Sequence, residues 1–101
     1  MAEKGALEME KFRVHVWIRG RVQGVGFRAF TARTAQMLGV RGWVRNVGND
    51  QVEAVAEGTR EAIAQFLAAV REGPRAAIVE EVQEEWETPE GKFSGFNVRF
   101  W

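Results

Sequence analysis

The stretch FRVHVWIRGRVQGVGFRAFTARTAQMLG, residues 12–39, decides the fold because the hydrophobic period changes within it. Every second residue from Phe12 to Ile18 is apolar, which predicts a half-buried strand. After a glycine-rich loop, apolar residues recur at helical spacing from Phe27 to Leu38, and Gly39 is a typical residue at the end of a helix. The stretch therefore predicts a strand, a loop and a helix in that order.

The rest of the chain predicts a hairpin, a second helix and two more strands. Two β-like runs around the tight turn at residues 48–50 indicate the hairpin. The second helix follows Thr59, a good N-cap, has apolar residues at i, i+3, i+4 and i+7, and ends at Gly73. The predicted strands cover residues 12–19, 40–47, 51–57, 76–86 and 95–101. We predict an α+β fold of the ferredoxin-like class, an α/β sandwich in the order βαββαβ with a further short strand, whose antiparallel sheet carries two helices on one face.

The composition of the 101 residues excludes several kinds of chemistry. The sequence has no cysteine and one histidine, His15, so disulfides, thiolate nucleophiles and Cys or His metal clusters are ruled out. Residues 1–11 are polar and lack the features of a signal peptide, so we expect a flexible tail at 1–11 and one domain at 12–101. No apolar run is long enough for a membrane span. We expect a cytoplasmic monomer that needs no metal or other cofactor.

The balance of 14 basic and 14 acidic residues hides an uneven distribution of charge. Eight Lys or Arg residues and no acidic residue lie between Lys11 and Asn49, so this segment carries +8 and the remainder carries −8. A basic block within a neutral protein indicates an anionic partner, which here is either a nucleic-acid backbone or a small phosphorylated ligand.

The segment GRVQGVGFR, residues 20–28, has the composition of a phosphate-binding loop. Its glycines allow positive φ angles that turn successive N–H groups toward one point, and the loop opens onto a helix N-terminus. Arg28, in the first helical turn, is placed to add a bidentate guanidinium. Two alternatives remain open. The residues Gly24, Gly26 and Ala29 match a loose dinucleotide-binding pattern, which here lacks its acidic residue, and the segment also fits a plain glycine turn beside a surface arginine.

The segment GWVRN, residues 42–46, supplies a second candidate. In the predicted topology Asn46 lies near the end of the hairpin and is expected to face the glycine-rich loop. Its side-chain amide offers an acceptor and donors, which suits the positioning of a water molecule where no base is available. Taken alone, Asn46 also fits ordinary turn chemistry.

Together, GRVQGVGFR, GWVRN and the strand that ends at Gly58 resemble the acylphosphatase family, small ferredoxin-like hydrolases of carboxyl-phosphate bonds. The resemblance covers residues 12–101. It implies metal-independent hydrolysis of a small-molecule acyl phosphate to carboxylate and inorganic phosphate. Arg28 would then bind phosphate and Asn46 would orient the attacking water. The resemblance also implies that the phosphoryl oxygens are held by the amides of Arg21, Val22, Gln23, Gly24, Val25 and Gly26.

One residue departs from the family pattern. Family members commonly have glycine where this chain has Asp50, in the hairpin turn. Because aspartate tolerates the left-handed conformation better than most residues, we expect a local change of the turn with the chemistry intact. No carboxylate lies between residues 11 and 49, so we expect a phosphate oxygen of the substrate to take the proton of the attacking water.

We expect the remaining polar and aromatic residues to have structural roles. His15 is mid-strand and is expected on the face of the sheet. We expect the acidic residues of the fourth strand to form a solvated edge and the tryptophans to pack in the core and on the sheet. These residues are Glu80, Glu81, Glu84 and Glu85, and Trp17, Trp43, Trp86 and Trp101.

Two alternative functions use the same fold without catalysis. Ferredoxin-like sheets also bind RNA, but they do so with aromatic and basic residues on the third strand, and QVEAVAEG, residues 51–58, is acidic and has no aromatic residue. A regulatory domain that binds a small ligand is the other alternative. We expect the protein to bind neither nucleic acid nor membrane.

Overall fold

The fold is described by a computed structural model for residues 10–101. All the predicted helices and strands form, in the predicted order. They are β1 (Lys11–Arg21), α1 (Phe27–Leu38), β2 (Arg41–Val47), β3 (Gln51–Thr59), α2 (Arg60–Glu72), β4 (Ile78–Glu87) and β5 (Phe96–Arg99). Of the predicted tail, residues 1–9 lie outside the described residues, and Lys11 already belongs to β1.

The five strands form one sheet in the order β4-β1-β3-β2-β5. The β4–β1, β1–β3 and β3–β2 pairs are antiparallel, as predicted. The prediction of an antiparallel sheet is wrong for β5, which pairs with β2 in parallel. The reason is that the chain leaves β4 at one edge of the sheet and returns at the opposite edge, running in the same direction as β2.

The core lies between the helices and one face of the sheet. In β1 the side chains of Val14, Val16 and Ile18 are fully buried, and the residues between them lie on the other, open face. The predicted apolar stripe of α2 is buried against this sheet face. The side chain of Thr59 accepts a hydrogen bond from the amide of Ala62, which confirms Thr59 as the N-cap of α2.

Two of the four tryptophans differ from the prediction. Trp86 and Trp101 are 55% and 77% exposed, although we expected both to be packed in the core or on the sheet. Trp86 lies on β4, an edge strand that has a neighbour on one side, and Trp101 follows β5 at the other edge. The edges of the sheet are therefore covered less well than its centre.

A network of ion pairs covers the open face. The carboxylate of Glu53 lies 2.6 Å from His15 Nε2 and 2.7 Å from Arg45 Nε, and Glu57 lies 3.0 Å from Arg13. His15 is on the sheet face, as predicted. Burial alone would raise the pKa of Glu53, but the hydrogen bonds from His15 and Arg45 outweigh it and hold that pKa below its ordinary value. Three arginines of the basic block, Arg13, Arg19 and Arg45, are thus paired with acids of β3 and β4.

The loop between β1 and α1 is tied to the β2–β3 hairpin. The side-chain amide nitrogen of Gln23 lies 3.2, 3.1 and 2.9 Å from the carbonyl oxygens of Val47, Gly48 and Gln51. The amide of Gly20 donates to the carbonyl oxygen of Asp50 at 2.9 Å. Within the described residues no residue other than glycine has a positive φ, so Asp50 does not adopt the left-handed conformation, and Gly48 does instead. The loop and the hairpin therefore form one connected unit.

We predict that Glu53→Gln lowers the free energy of unfolding by about 1 to 3 kcal/mol at neutral pH, because it removes the charge that His15 and Arg45 share. Since the pKa of Glu53 is lowered in the folded state, its stabilisation is present above the ordinary value of 4.5 and is lost as the pH falls below it. Urea unfolding between pH 3 and pH 7 measures both effects. The matched control is Glu81→Gln, which breaks an exposed pair with Arg19 and should change the stability much less, because solvent screens that pair. The same acid dependence in Glu53→Gln and in the unmodified protein would contradict this assignment.

We predict that Gln23→Ala loosens the loop with little effect on the rest of the fold. Loss of these hydrogen bonds should cost about 1 to 2 kcal/mol and speed hydrogen exchange at the amides of residues 22–26. Gln65→Ala, an exposed change on α2, serves as the control and should leave this exchange unchanged. Unaltered exchange in Gln23→Ala would show that the loop is held by other contacts.

Candidate active site

The loop ends in a left-handed turn that exposes its amides at the start of α1. The N-cap of α1 is Gly26, with φ 77° and ψ 21°, and no side chain caps the helix there. Gly24 also has a positive φ, of 74°, and a Cβ atom at either position would meet nothing within 4 Å. Glycine is therefore needed here for the backbone angle and not for space.

The amides of this loop have no protein partner. Among the described residues, none of the amides of residues 22–26 donates a hydrogen bond to a backbone or side-chain acceptor. The first turn of α1 contains no acidic residue, and the first amides of any helix lack partners within the helix. The loop therefore presents a set of free N–H donors at the positive end of a helix dipole, an arrangement that binds anions.

Arg28 adds a cationic group beside these donors. Its side chain is half-buried in the first turn of α1, and its guanidinium carbon lies 4.8 Å from the centre of the Phe100 ring. Arg13, Arg19 and Arg45 all form salt bridges to glutamates, whereas Arg28 has no carboxylate within salt-bridge distance in the part of the chain that the structure describes. The Arg28 guanidinium is therefore available to an anionic ligand.

Asn46 presents a buried acceptor without a partner. Its side-chain oxygen Oδ1 is buried, and within residues 10–101 it is the one such buried polar side-chain atom that lacks a hydrogen bond. Asn46 lies near the end of β2, two residues after the buried Val44 and so on the same face of the sheet. A buried oxygen of this kind is costly unless a ligand or a water donates to it.

These features meet in one cleft of about 310 Å³. It is lined by Val22, Gly24, Gly26, Phe27, Arg28, Ala29, Asn46, Val98 and Phe100. The structure thus brings together Arg28, Asn46 and part of the loop. The side chains of Arg21, Gln23 and Val25 do not line the cleft. Arg21 is exposed, Gln23 reaches the hairpin, and Val25 packs against the core.

Sequence reasoning missed four lining residues: Phe27 and Ala29, which flank Arg28 in α1, and Val98 and Phe100 at the C-terminal end. Val98 pairs with Val44 in the β2–β5 ladder, and the alternation of side chains carries Phe100 to the level of Asn46 on the same face. The alternation in FNVRF was visible in the sequence, but the parallel pairing with β2 was not. These C-terminal residues of the site could therefore not be predicted without the register of β5 on β2.

A second depression, of about 330 Å³, lies on the open face between β1, β3 and β4. Its lining includes Trp17, Arg19 and two glutamates. Arg19 is paired there with Glu81 at 3.0 Å, and no helix N-terminus contributes to the lining. This depression lacks the free donors that characterise the first cleft.

Three metal-binding side chains also lie near each other on the open face. One ligand atom from each of His15, Glu85 and Glu87 falls within 4.8 Å of the others. Both ring nitrogens of His15 already contact carboxylates, and Arg13 pairs with Glu87 at 2.9 Å. The Arg13 guanidinium thus already lies where a metal ion would neutralise Glu87. Burial tends to raise the pKa of Glu87, and its hydrogen bonds to Arg13 and His15 lower it overall.

Comparison with known proteins identifies the family. The acylphosphatase family model matches residues 14–98. An acylphosphatase from Trichormus variabilis is 48% identical over 92 residues, which is 91% of this chain and 90% of that protein, and one from Syntrophotalea carbinolica is 50% identical over 91% of this chain and its own whole length. The solved structure of an acylphosphatase from Coxiella burnetii matches with a TM-score of 0.84 at 38% identity, covering 88% of this chain and 93% of that one. No helix among the described residues is long and apolar enough to cross a membrane. The chain therefore belongs to the acylphosphatase family and is an enzyme that hydrolyses acyl phosphates.

Proposed function

We propose that the cleft at the start of α1 is the active site for hydrolysis of the carboxyl-phosphate bond. Arg28 and the amides of residues 21–26 bind the phosphoryl group, and Asn46 orients the attacking water. The observation that carries this proposal is the meeting, in one cleft, of free loop amides, a guanidinium without a carboxylate partner and the orphan oxygen of Asn46.

The charge that develops during the reaction matches this arrangement. Phosphoryl transfer spreads negative charge over the three non-bridging oxygens, and catalysis consists mostly of positioning and electrostatic stabilisation. The loop amides and the α1 dipole act on these oxygens without movement of the backbone. The Arg28 guanidinium provides two parallel N–H donors with a full positive charge.

The attacking water is positioned by the side chain of Asn46. Its Oδ1 accepts a hydrogen bond from the water, which aims a lone pair of the water oxygen at phosphorus. The new oxygen–phosphorus bond forms as the bond from phosphorus to the carboxylate oxygen breaks, and the carboxylate leaves with the electron pair. No carboxylate lines the cleft within the described residues, so one proton of the water passes to a phosphoryl oxygen of the substrate. A carboxylate is a good leaving group, so neither an acid catalyst nor a metal is required in this proposal.

The open face does not favour nucleic acid as a partner. Arg13, Arg19 and Arg45 on this face are paired with glutamates of β3 and β4. Glu53 and Glu57 occupy the strand where an RNA-binding sheet presents aromatic and basic side chains. We therefore propose a small acyl phosphate as the partner and no nucleic acid.

The oligomeric state and the cellular compartment are further parts of this proposal. We propose that the enzyme acts as a monomer with one domain at residues 12–101. The absence of cysteine from the sequence suits a reducing compartment, and we propose the cytoplasm.

We predict that Arg28→Ala lowers kcat/KM for a simple acyl phosphate by roughly 100- to 1,000-fold, the usual effect of removing one preorganised donor to the transition state. The measurement is phosphate release in excess chelator, with circular dichroism as the check on folding. Arg33→Ala is the matched control, since Arg33 is exposed on the same helix and does not line the cleft. Near-normal hydrolysis by Arg28→Ala would defeat the assignment, and strict dependence of the unmodified enzyme on a divalent ion would contradict the metal-free mechanism.

We predict that Asn46→Ala lowers kcat much more than it weakens the binding of inorganic phosphate. The reason is that Asn46 contacts the water and not the phosphoryl group in this mechanism. Competitive inhibition by inorganic phosphate measures the binding, and Asn97→Ala, an exposed change on β5, is the control. Equal losses in rate and in phosphate affinity would point to a binding role for Asn46.

A further inference from the structure

Phe100 stands out in the cleft because it is large, apolar and exposed. Its side chain is 77% exposed, although it lines a cleft whose other aromatic residue, Phe27, is 1% exposed and belongs to the core. The register of β5 on β2 brings Phe100 to the level of Asn46, but Phe100 lies one residue beyond β5 and its side chain is not part of the core. Its contact in the cleft is the guanidinium of Arg28, at 4.8 Å from the ring centre.

The geometry of this contact leaves the donors of Arg28 free. The attraction between a cation and the face of an aromatic ring uses no hydrogen bond, and within the described residues the Arg28 guanidinium donates to no protein acceptor. The ring therefore restricts the orientation of Arg28 without using the hydrogen bonds that a phosphoryl group needs. Phe100 is in this respect a positioning residue.

The same ring lies where the rest of the substrate must go. In an acyl phosphate the acyl carbon is joined to phosphorus through one oxygen, so the acyl group begins next to the phosphoryl group. The loop amides, Arg28 and Asn46 supply the polar contacts of the cleft, and Phe100 and Val98 supply the apolar wall beside them. An apolar or aromatic acyl group would contact these two side chains.

We propose that Phe100 forms the acyl-binding side of the active site and makes the enzyme prefer acyl phosphates with aromatic or large apolar acyl groups over acetyl phosphate. This inference rests on the proposed function of the cleft. An aromatic acyl group would cover the exposed ring of Phe100 and gain both burial and ring contact, whereas an acetyl group is too small to do so.

The test compares benzoyl phosphate with acetyl phosphate as substrates of the unmodified enzyme, Phe100→Ala and Phe100→Tyr. We expect Phe100→Ala to reduce the ratio of kcat/KM for benzoyl phosphate to that for acetyl phosphate by about tenfold, mainly through a higher KM for benzoyl phosphate. Phe100→Tyr keeps the ring and should keep the ratio. Trp101→Ala is the matched control, because Trp101 is also 77% exposed but does not line the cleft.

A ratio that stays unchanged in Phe100→Ala would overturn the inference, even if both rates fell together, because a uniform loss indicates an effect on Arg28 or on the fold alone. This outcome leaves the proposed function standing as long as the unmodified enzyme hydrolyses both substrates. If the unmodified enzyme hydrolyses neither, the proposed function itself fails, and the two failures are thereby distinguished.

Discussion

The side-chain amide of Gln23 joins the two segments on which the proposed active site depends. One segment is the glycine loop that opens onto α1, and the other is the hairpin whose first strand carries Asn46. The three carbonyl oxygens that Gln23 contacts belong to the hairpin, and the bond from the Gly20 amide to the Asp50 carbonyl fastens the same turn a second time. With the loop fixed in this way, its amides hold their direction before any ligand arrives. That preorganisation is what electrostatic catalysis requires.

The arginines of this chain differ in whether a carboxylate lies beside them. Three arginines of the +8 segment, Arg13, Arg19 and Arg45, meet glutamates of β3 and β4 on the open face of the sheet. Arg28 lies on the other side of the sheet, at a helix N-terminus and beside an aromatic ring, and has no such partner among the described residues. A neutral protein can thus offer one strong anion site without a broadly basic surface.

Much of this could be predicted from the sequence because the relevant signals are local. The alternation in β1, the helix that Gly39 ends and the Thr59 cap each depend on residues close together in the chain. Pairing between distant segments could not be read in the same way. The parallel register of β5 on β2 places Phe100 beside Asn46. The side chain of Gln23 fixes the loop by a hydrogen bond to Val47, which is 24 positions away in the sequence. No local sequence pattern encodes either contact. The exposure of Trp86 depends on β4 being an edge strand, which is a property of the sheet and not of the segment.

Binding of the phosphoryl group by the loop amides at the start of α1 can be measured by titrating the enzyme with inorganic phosphate and following the amide chemical shifts. We expect saturable shifts concentrated at residues 22–28 and at the side chain of Asn46, with the indole of Trp17 on the open face unaffected. Shifts centred on Trp17 and Arg19, or a loop that does not respond at saturating phosphate, would contradict it.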